Sequence, residues 1–348
     1  MALRVEIIDP LQDPRWDALL ERSERASIFH TRGWLEALRR TYGYQPAAFT
    51  TSASGEKLEN AVVFCQVKSW LTGCRMVSLP FSDHCQPLVQ DERDLVAIVS
   101  FLAERLTREK WKHIELRPAE APVPGVAALA KGEGFSLHRL DLRPDLETIF
   151  RNFHRNHIQR KLLRAEREKL DYRESRSEAL LDAFYRLQLM TRRRHRLPPQ
   201  PRAWFKNLIE CMGERLKIRV VSKDGRPVAS ILTLSYKGTM VYKYGCSDAR
   251  YHNLGGMPLL FWKTIQDAKA AVAAELDLGR SETDNEGLTS FKEHLGAVGS
   301  KLTYLRYPAP EPEAGLAAWK IRLLQNTFSR LPDSLQVMAG KALYRHVG

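Results

Sequence analysis

The chain has 348 residues, 44% of them hydrophobic and 27% charged, a balance that excludes a disordered tail protein and a fibrous one. Its length suits two packed domains of roughly 100 to 200 residues each. Lys and Arg number 54 against 41 Asp and Glu, a formal net charge of +13, which favours anionic partners such as phosphorylated substrates, nucleic acid or a membrane surface without choosing among them.

Apolar runs fall short of the ~20 residues that span a bilayer, and residues 1–10 carry acids where a signal peptide would be basic and then apolar. A cytoplasmic protein is expected. The five cysteines, at 65, 74, 85, 211 and 246, are odd in number and form no CxxC pair, so reduced thiols are expected. Cys65, Cys74, His84 and Cys85 lack regular ligand spacing, and no metal site is expected from them.

Trp34, Leu35, Leu38 and Tyr42 share one face of a short helix that Gly43 stops. Three strands follow over 46–51, 60–67 and 74–79, rich in β-branched or aromatic residues and parted by turn residues such as Ser54-Gly55 and Thr72-Gly73. A helix over 94–109, a strand over 113–117, a helix up to Lys131 and a strand over 135–142 complete this half. In the second half Leu146, Ile149, Phe150, Phe153, Ile158 and Leu162 recur at helical steps through a basic segment. Helices over 179–195 and 203–214 are separated by Pro198, Pro199 and Pro201. The runs 217–222, 228–236 and 239–246, joined at Asp224-Gly225 and Lys237-Gly238, read as an antiparallel meander. Gly255-Gly256 opens a helix to about 273. A strand over 275–278, a short helix over 290–295 and a strand over 302–307 close the unit.

Both halves thus read as three strands, helix, strand, helix, strand, and the expected fold class is α+β, a duplicated unit with inserted helices. The expected domains are 1–143 and 144–307, the second with a basic helical insertion over 145–214. In a tail over 308–348, Trp319, Leu323, Phe328, Leu335 and Met338 interleave with Lys320, Arg330, Lys341 and Arg345. That pattern docks on the body or lies on a membrane surface, the inner face for a cytoplasmic protein.

Arg250-Tyr-His-Asn-Leu-Gly255-Gly256-Met257 resembles the phosphate loop of the GNAT superfamily, stretched by two residues. It makes Arg250, Gly255 and Gly256 candidates for holding an acyl-CoA pyrophosphate at a helix start; the plainer alternative is a tight turn. Asp277-Leu-Gly279-Arg280-Ser281, Gly287-Leu-Thr-Ser-Phe291-Lys292-Glu-His-Leu-Gly296 and Leu302-Thr-Tyr304 resemble the closing signature of FemAB-like transferases and of related proteins of exopolysaccharide and exosortase systems. Phe29-His-Thr-Arg-Gly33-Trp34 resembles the start of that family's N-terminal helix, residues 156–168 its basic second-domain helix, and Asp224-Gly225-Arg-Pro-Val-Ala229 the hairpin that follows.

The resemblance implies two tandem GNAT-like domains. It also implies transfer of an acyl or aminoacyl group, by direct attack, to an amine of a cell-envelope precursor such as peptidoglycan or of a polysaccharide-related acceptor. Acyl-CoA or aminoacyl-tRNA would be the co-substrate, with no tightly bound cofactor. Lys292 falls on the family's motif lysine, which would meet a substrate diphosphate or a developing oxyanion; the alternative is a solvated helix residue.

Arg280 follows a strand end and suits phosphate or carboxylate, or an ion pair with Glu282 or Asp284. Strand alternation sends Tyr242 and Tyr244 to one face, lining an acceptor cleft or filling core. Phe291 and Trp34, inside the matched motifs, are further substrate-binding candidates. In the polar loop Pro80-Phe-Ser-Asp83-His84-Cys85, Asp83 or His84 is placed to act as general base, and a Cys85 nucleophile relayed by His84 is another arrangement. The basic runs 151–169 and 192–196 suit tRNA phosphate or a solvated face. A competing function is a catalytically inactive GNAT scaffold that binds nucleic acid or anionic lipid through its basic surface.

Overall fold

In the computed structural model, which describes residues 3–70, 73–120, 129–310 and 333–347, most strands and helices form where the residue patterns place them. Helix α2 (Arg32–Tyr42) begins at Thr31, whose side chain accepts from the Trp34 N–H, and stops at Gly43 in the left-handed region. Between β1 (Glu6–Ile8) and α2 lies α1 (Trp16–Arg22), and then come β2 (Pro46–Thr50), β3 (Val62–Ser69), β4 (Gly73–Val77), α3 (Glu92–Arg108) and β5 (Ile114–Leu116). Strand β6 (Ala130–Asp141) leads to α4 (Leu146–Asn152), a π turn over 155–159, α5 (Arg160–Arg167), β7 (Asp171–Ser175), α6 (Glu178–Arg194) and α7 (Arg202–Met212). The meander is β8 (Leu216–Lys223), β9 (Arg226–Tyr236) and β10 (Thr239–Ser247). After it come α8 (Gly256–Ala270), β11 (Glu275–Glu282), α9 (Glu286–His294), β12 (Val298–Tyr307) and α10 (Asp333–Val347). The expected helix up to Lys131 falls mostly on residues 121–128, outside the described residues, and its expected end is corrected: Ala130 and Lys131 begin β6.

Two compact units result, one drawn from Met1–Gly134, Leu302–Ala314 and Lys341–Gly348, the other from Phe135–Lys301 and Gly315–Gly340. Within the first, strands run in the order β1-β2-β3-β4-β5-β12, antiparallel except for the parallel β4–β5 pair. Helix α3 buries Leu95, Ile98, Val99 and Leu102 over this sheet, against Phe49, Phe64, Met76 and Ile114. Within the second the order is β6-β11-β10-β9-β8-β7, antiparallel except for the parallel β10–β11 pair. Here α8 buries Phe261, Ile265 and Ala268 among Leu140, Ile149, Phe153, Leu162, Leu276 and Leu278.

The duplication is visible in this matching pattern of three antiparallel strands, a helix and a parallel strand. Each unit is closed by a strand that the chain order would give to the other: β12 from Leu302 pairs with β5, and β6 pairs with β11. The unit boundary therefore lies inside β6.

Of the tail, residues 311–332, with Trp319, Leu323 and Phe328, lie outside the described residues. Residues 341–347 dock within the first unit: the Tyr44 hydroxyl donates to the carbonyls of Tyr344 (3.4 Å) and Arg345 (3.0 Å), and Arg75 donates to that of His346 (3.1 Å). No helix among the described residues is long and apolar enough to cross a membrane.

Candidate functional site

Strands β10 and β11 pair over Thr239–Val241 and Glu275–Asp277, and beyond that point both depart from regular geometry. On β10 the register shifts between Tyr242 and Tyr244. On β11 it shifts between Asp277 and Arg280, where Gly279 takes φ 69°. Helix α8 opens beside this parting. Its cap, Gly255, has φ 84°, and a Cβ there would stand 2.1 Å from the Lys161 carbonyl oxygen, so the position requires glycine.

The first turn of α8, Gly256, Met257 and Pro258, forms one wall of a cavity of about 220 Å³. Tyr242, Phe261 and Phe291 make an aromatic floor, the rings of Tyr242 and Phe291 standing edge-on to Phe261 at 4.9 and 5.4 Å. Lys161 from α5, Leu288 and Lys292 from α9, Val228 and Ala229 from β9, and Ser247, Tyr251 and His252 complete the lining. The cavity thus presents an apolar floor, two lysines, a helix N-terminus and a Ser–His pair, all from the second unit.

Lys292 is buried, with Nζ donating to the carbonyls of Gly279 (2.7 Å) and Arg280 (3.2 Å) and to Ser281 Oγ (2.9 Å). An ammonium has three protons, and here each has an acceptor on β11. The solvated-residue reading is thereby corrected: Lys292 ties α9 to the distorted stretch of β11. His252 Nε2 lies 2.8 Å from Ser247 Oγ. Partial desolvation, reinforced by the Arg194 and Lys161 cations, holds this surface-exposed imidazole below its ordinary value. Arg194 also donates to the Ser247 carbonyl at 3.1 Å.

Of the residues singled out in the sequence, Tyr242, Phe291, Lys292 and Gly256 meet in this cavity. Tyr244 does not share Tyr242's face. The two stand opposite Leu232 and Thr233, neighbours on β9 that point opposite ways. Tyr244 packs on Phe205 at 5.2 Å and accepts from Trp204 Nε1 at 2.8 Å. Arg280 lays its guanidinium 4.2 Å from the Phe135 ring centre. Arg250 is mostly exposed and paired with Asp248 at 2.6 Å, and that ion pair holds the Asp248 carboxyl below the usual range.

Trp34 is fully buried in the first unit, edge-on to Phe29 at 4.9 Å. His84 is buried against the same Phe29 at 5.4 Å, and the Asp83 carbonyl accepts from the Tyr304 hydroxyl at 2.8 Å. The Cys85 thiol, pushed up to about 12 by burial, lies 3.3 Å from His30 Nε2.

Lys161, Ser247, His252, Met257 and Leu288 were not singled out in the sequence as site residues. His252 sits inside the loop quoted for its glycines, and its HN spacing from Gly255 was the available signal.

Residues 152–293 match the family model described as an acetyltransferase (GNAT) domain. These residues lie within the second unit, which has the fold of a GNAT domain. No curated protein matches the chain. Among solved structures the chain is similar to FemX, at 13% identity and TM-score 0.68, over 91% of this chain and 99% of that one. A tandem GNAT protein from the clavulanic acid biosynthesis pathway is similar at 12% identity and TM-score 0.56, over 89% of this chain and 100% of that one. So is a C-terminal domain (DUF2156) assigned to a lysylphosphatidylglycerol synthetase of Agrobacterium fabrum, at 15% identity and TM-score 0.54, over 89% and 94%. Identities this low carry the fold alone: the chain has two GNAT-like units, and the cavity lies in the second.

Proposed function

We propose that the chain is an N-acyltransferase that moves an acyl or aminoacyl group to an amine by direct attack, with the donor's reacting carbonyl in the GNAT-domain cavity. The carrying observation is the placement of an apolar floor and a helix N-terminus at the parting of β10 and β11. The N–H groups of the first turn of α8 suit the oxygen that becomes negative as the amine adds. Tyr242, Phe261 and Phe291 hold the acyl or aminoacyl chain. His252, backed by Ser247, accepts the proton the attacking amine loses and returns it to the leaving thiolate or tRNA hydroxyl oxygen as the donor's C–S or C–O bond breaks. Lys292 acts as a positioning residue through the Gly279 and Arg280 carbonyls.

A donor that is aminoacyl-tRNA is supported by the likeness to a domain assigned to lysylphosphatidylglycerol synthesis, and by the basic charge. Acyl-CoA is the other donor, supported by the match to an acetyltransferase domain. The amine belongs to a cell-envelope or polysaccharide-related acceptor, a reading that rests on the FemAB resemblance.

The test is a two-donor assay. Release of free CoA thiol from acetyl-CoA and loss of label from charged tRNA are followed with amine acceptors present, for the wild type and for Phe291→Ala. Phe291→Ala is expected to weaken donor binding roughly tenfold, about 1.4 kcal/mol. Wild-type protein that turns over neither donor and binds neither would sink the proposal.

A further inference from the structure

Three histidines distant in sequence meet on the GNAT domain outside the cavity. His154 and His157 flank the start of the π turn between α4 and α5, and His294 ends α9. One ring nitrogen from each lies within 4.8 Å of the others. Ring centres are 4.7 Å apart for His154 and His157, and 4.4 Å from each of these to His294. The backbone already holds the two segments together, since the His154 N–H donates to the His294 carbonyl at 2.8 Å.

We propose that His154, His157 and His294 form a binding site for a divalent transition-metal ion of the zinc class, with water in the remaining position. Imidazole nitrogens are the preferred ligands of such ions. Tetrahedral zinc at about 2.0–2.1 Å from each nitrogen needs donors about 3.3 Å apart, so the present spacing closes by side-chain rotation. His157 and His294 are parallel to within 6°, and one ring must turn about its Cβ–Cγ bond for both lone pairs to meet one ion. His154 and His157 are exposed and His294 half-buried, which leaves room for that turn. The Nδ1 of His154 accepts from the N–H groups of Asn156 and His157 at 3.2 and 3.3 Å. These are long contacts, and coordination replaces them.

The ion would join the π turn that leads into α5 to the end of α9, and these two helices wall the cavity through Lys161 and through Leu288, Phe291 and Lys292. Nothing in the proposal depends on the acyl-transfer reading.

Untagged full-length protein, stripped with a chelator, is titrated with Zn²⁺ in a calorimeter, and its melting temperature is recorded with and without the ion. One equivalent of Zn²⁺ is expected to bind and to raise the melting temperature. In His157→Ala and His294→Ala, Zn²⁺ affinity falls at least tenfold and the thermal shift disappears, whereas His195→Ala binds as the wild type does. Metal-free melting temperatures of the variants, compared with that of metal-free wild type, show whether the fold is kept; His157→Gln and His294→Gln replace any variant that unfolds. Absence of binding to the wild type, or unchanged binding in the His157→Ala/His294→Ala double variant, overturns the site.

Discussion

Lys292 Nζ donates to three acceptors on β11, so removing the ammonium takes that donor from the buried Gly279 carbonyl and Ser281 hydroxyl and from the part-buried Arg280 carbonyl. Lys292→Met keeps the stem and loses the donors. It is expected to destabilise the chain by about 1–3 kcal/mol in urea unfolding, and to lower kcat at temperatures where the variant is still folded. Gly255→Ala forces a Cβ against the Lys161 carbonyl at a positive φ. A loss of at least about 1–3 kcal/mol is expected from the same measurement.

In the first unit, burial holds His30 down to about 4, while Nε2 donates to the Gln86 carbonyl and Nδ1 accepts from the Ser27 N–H. The folded side chain therefore stays neutral while its unfolded counterpart, titrating near 6.5, takes up a proton as the pH falls. This contribution is fully present above about pH 6.5 and is lost on acidification to about pH 4. Between pH 7 and pH 5 it amounts to about 2 kcal/mol. His113, also pushed down to about 4 by burial and by the Arg306 cation, adds to the slope. Unfolding free energies measured at the two pH values should differ less in His30→Gln; an unchanged difference would remove His30 from the account.

At the scale of elements, the helices and strands with a strong apolar period were legible: α2 with its glycine stop, α6 and α7 split by prolines, the β8–β10 meander with its Asp-Gly and Lys-Gly turns, and the glycine-opened α8. What escaped carries little periodic signal. Strand β1 has three residues, and β7 (Asp-Tyr-Arg-Glu-Ser) leaves both faces largely polar on the sheet edge. The bulge in β10 was also hidden, because alternation presumes an uninterrupted pleat and nothing in Tyr242-Lys243-Tyr244 announces the extra residue. For the same reason the candidate pair of tyrosines resolved into one cavity residue and one that packs against α7. The histidine cluster depends on an approach between α9 and the π turn that local spacing does not encode. Deleting Lys243 should restore the pleat and leave Tyr244 opposite Leu232, off the cavity face. Donor binding is expected to weaken in that deletion, because the irregular stretch of β10 beside the cavity is lost, and to be kept in Lys243→Ala, with calorimetric titration as the check.

On the scale of the whole molecule, the +13 charge gives a way to separate the donors. A tRNA donor held by many phosphate contacts is expected to lose roughly tenfold or more in affinity between about 50 and about 200 mM salt. A donor with few phosphates, such as acyl-CoA, loses much less. The duplication was legible from element order, but which strand closes each unit was not, since pairing partners are chosen by the fold and not by the local pattern. That exchange has a consequence for biosynthesis. Strand β5 finds its second neighbour in β12, at Leu116 and Leu305. At about 5–20 residues per second a ribosome needs roughly 10–40 s to travel between them. For that interval the nascent first unit carries an open sheet edge, the kind of surface that recruits other strands. Vectorial folding is therefore interrupted: the first unit waits, incomplete, until the second has emerged.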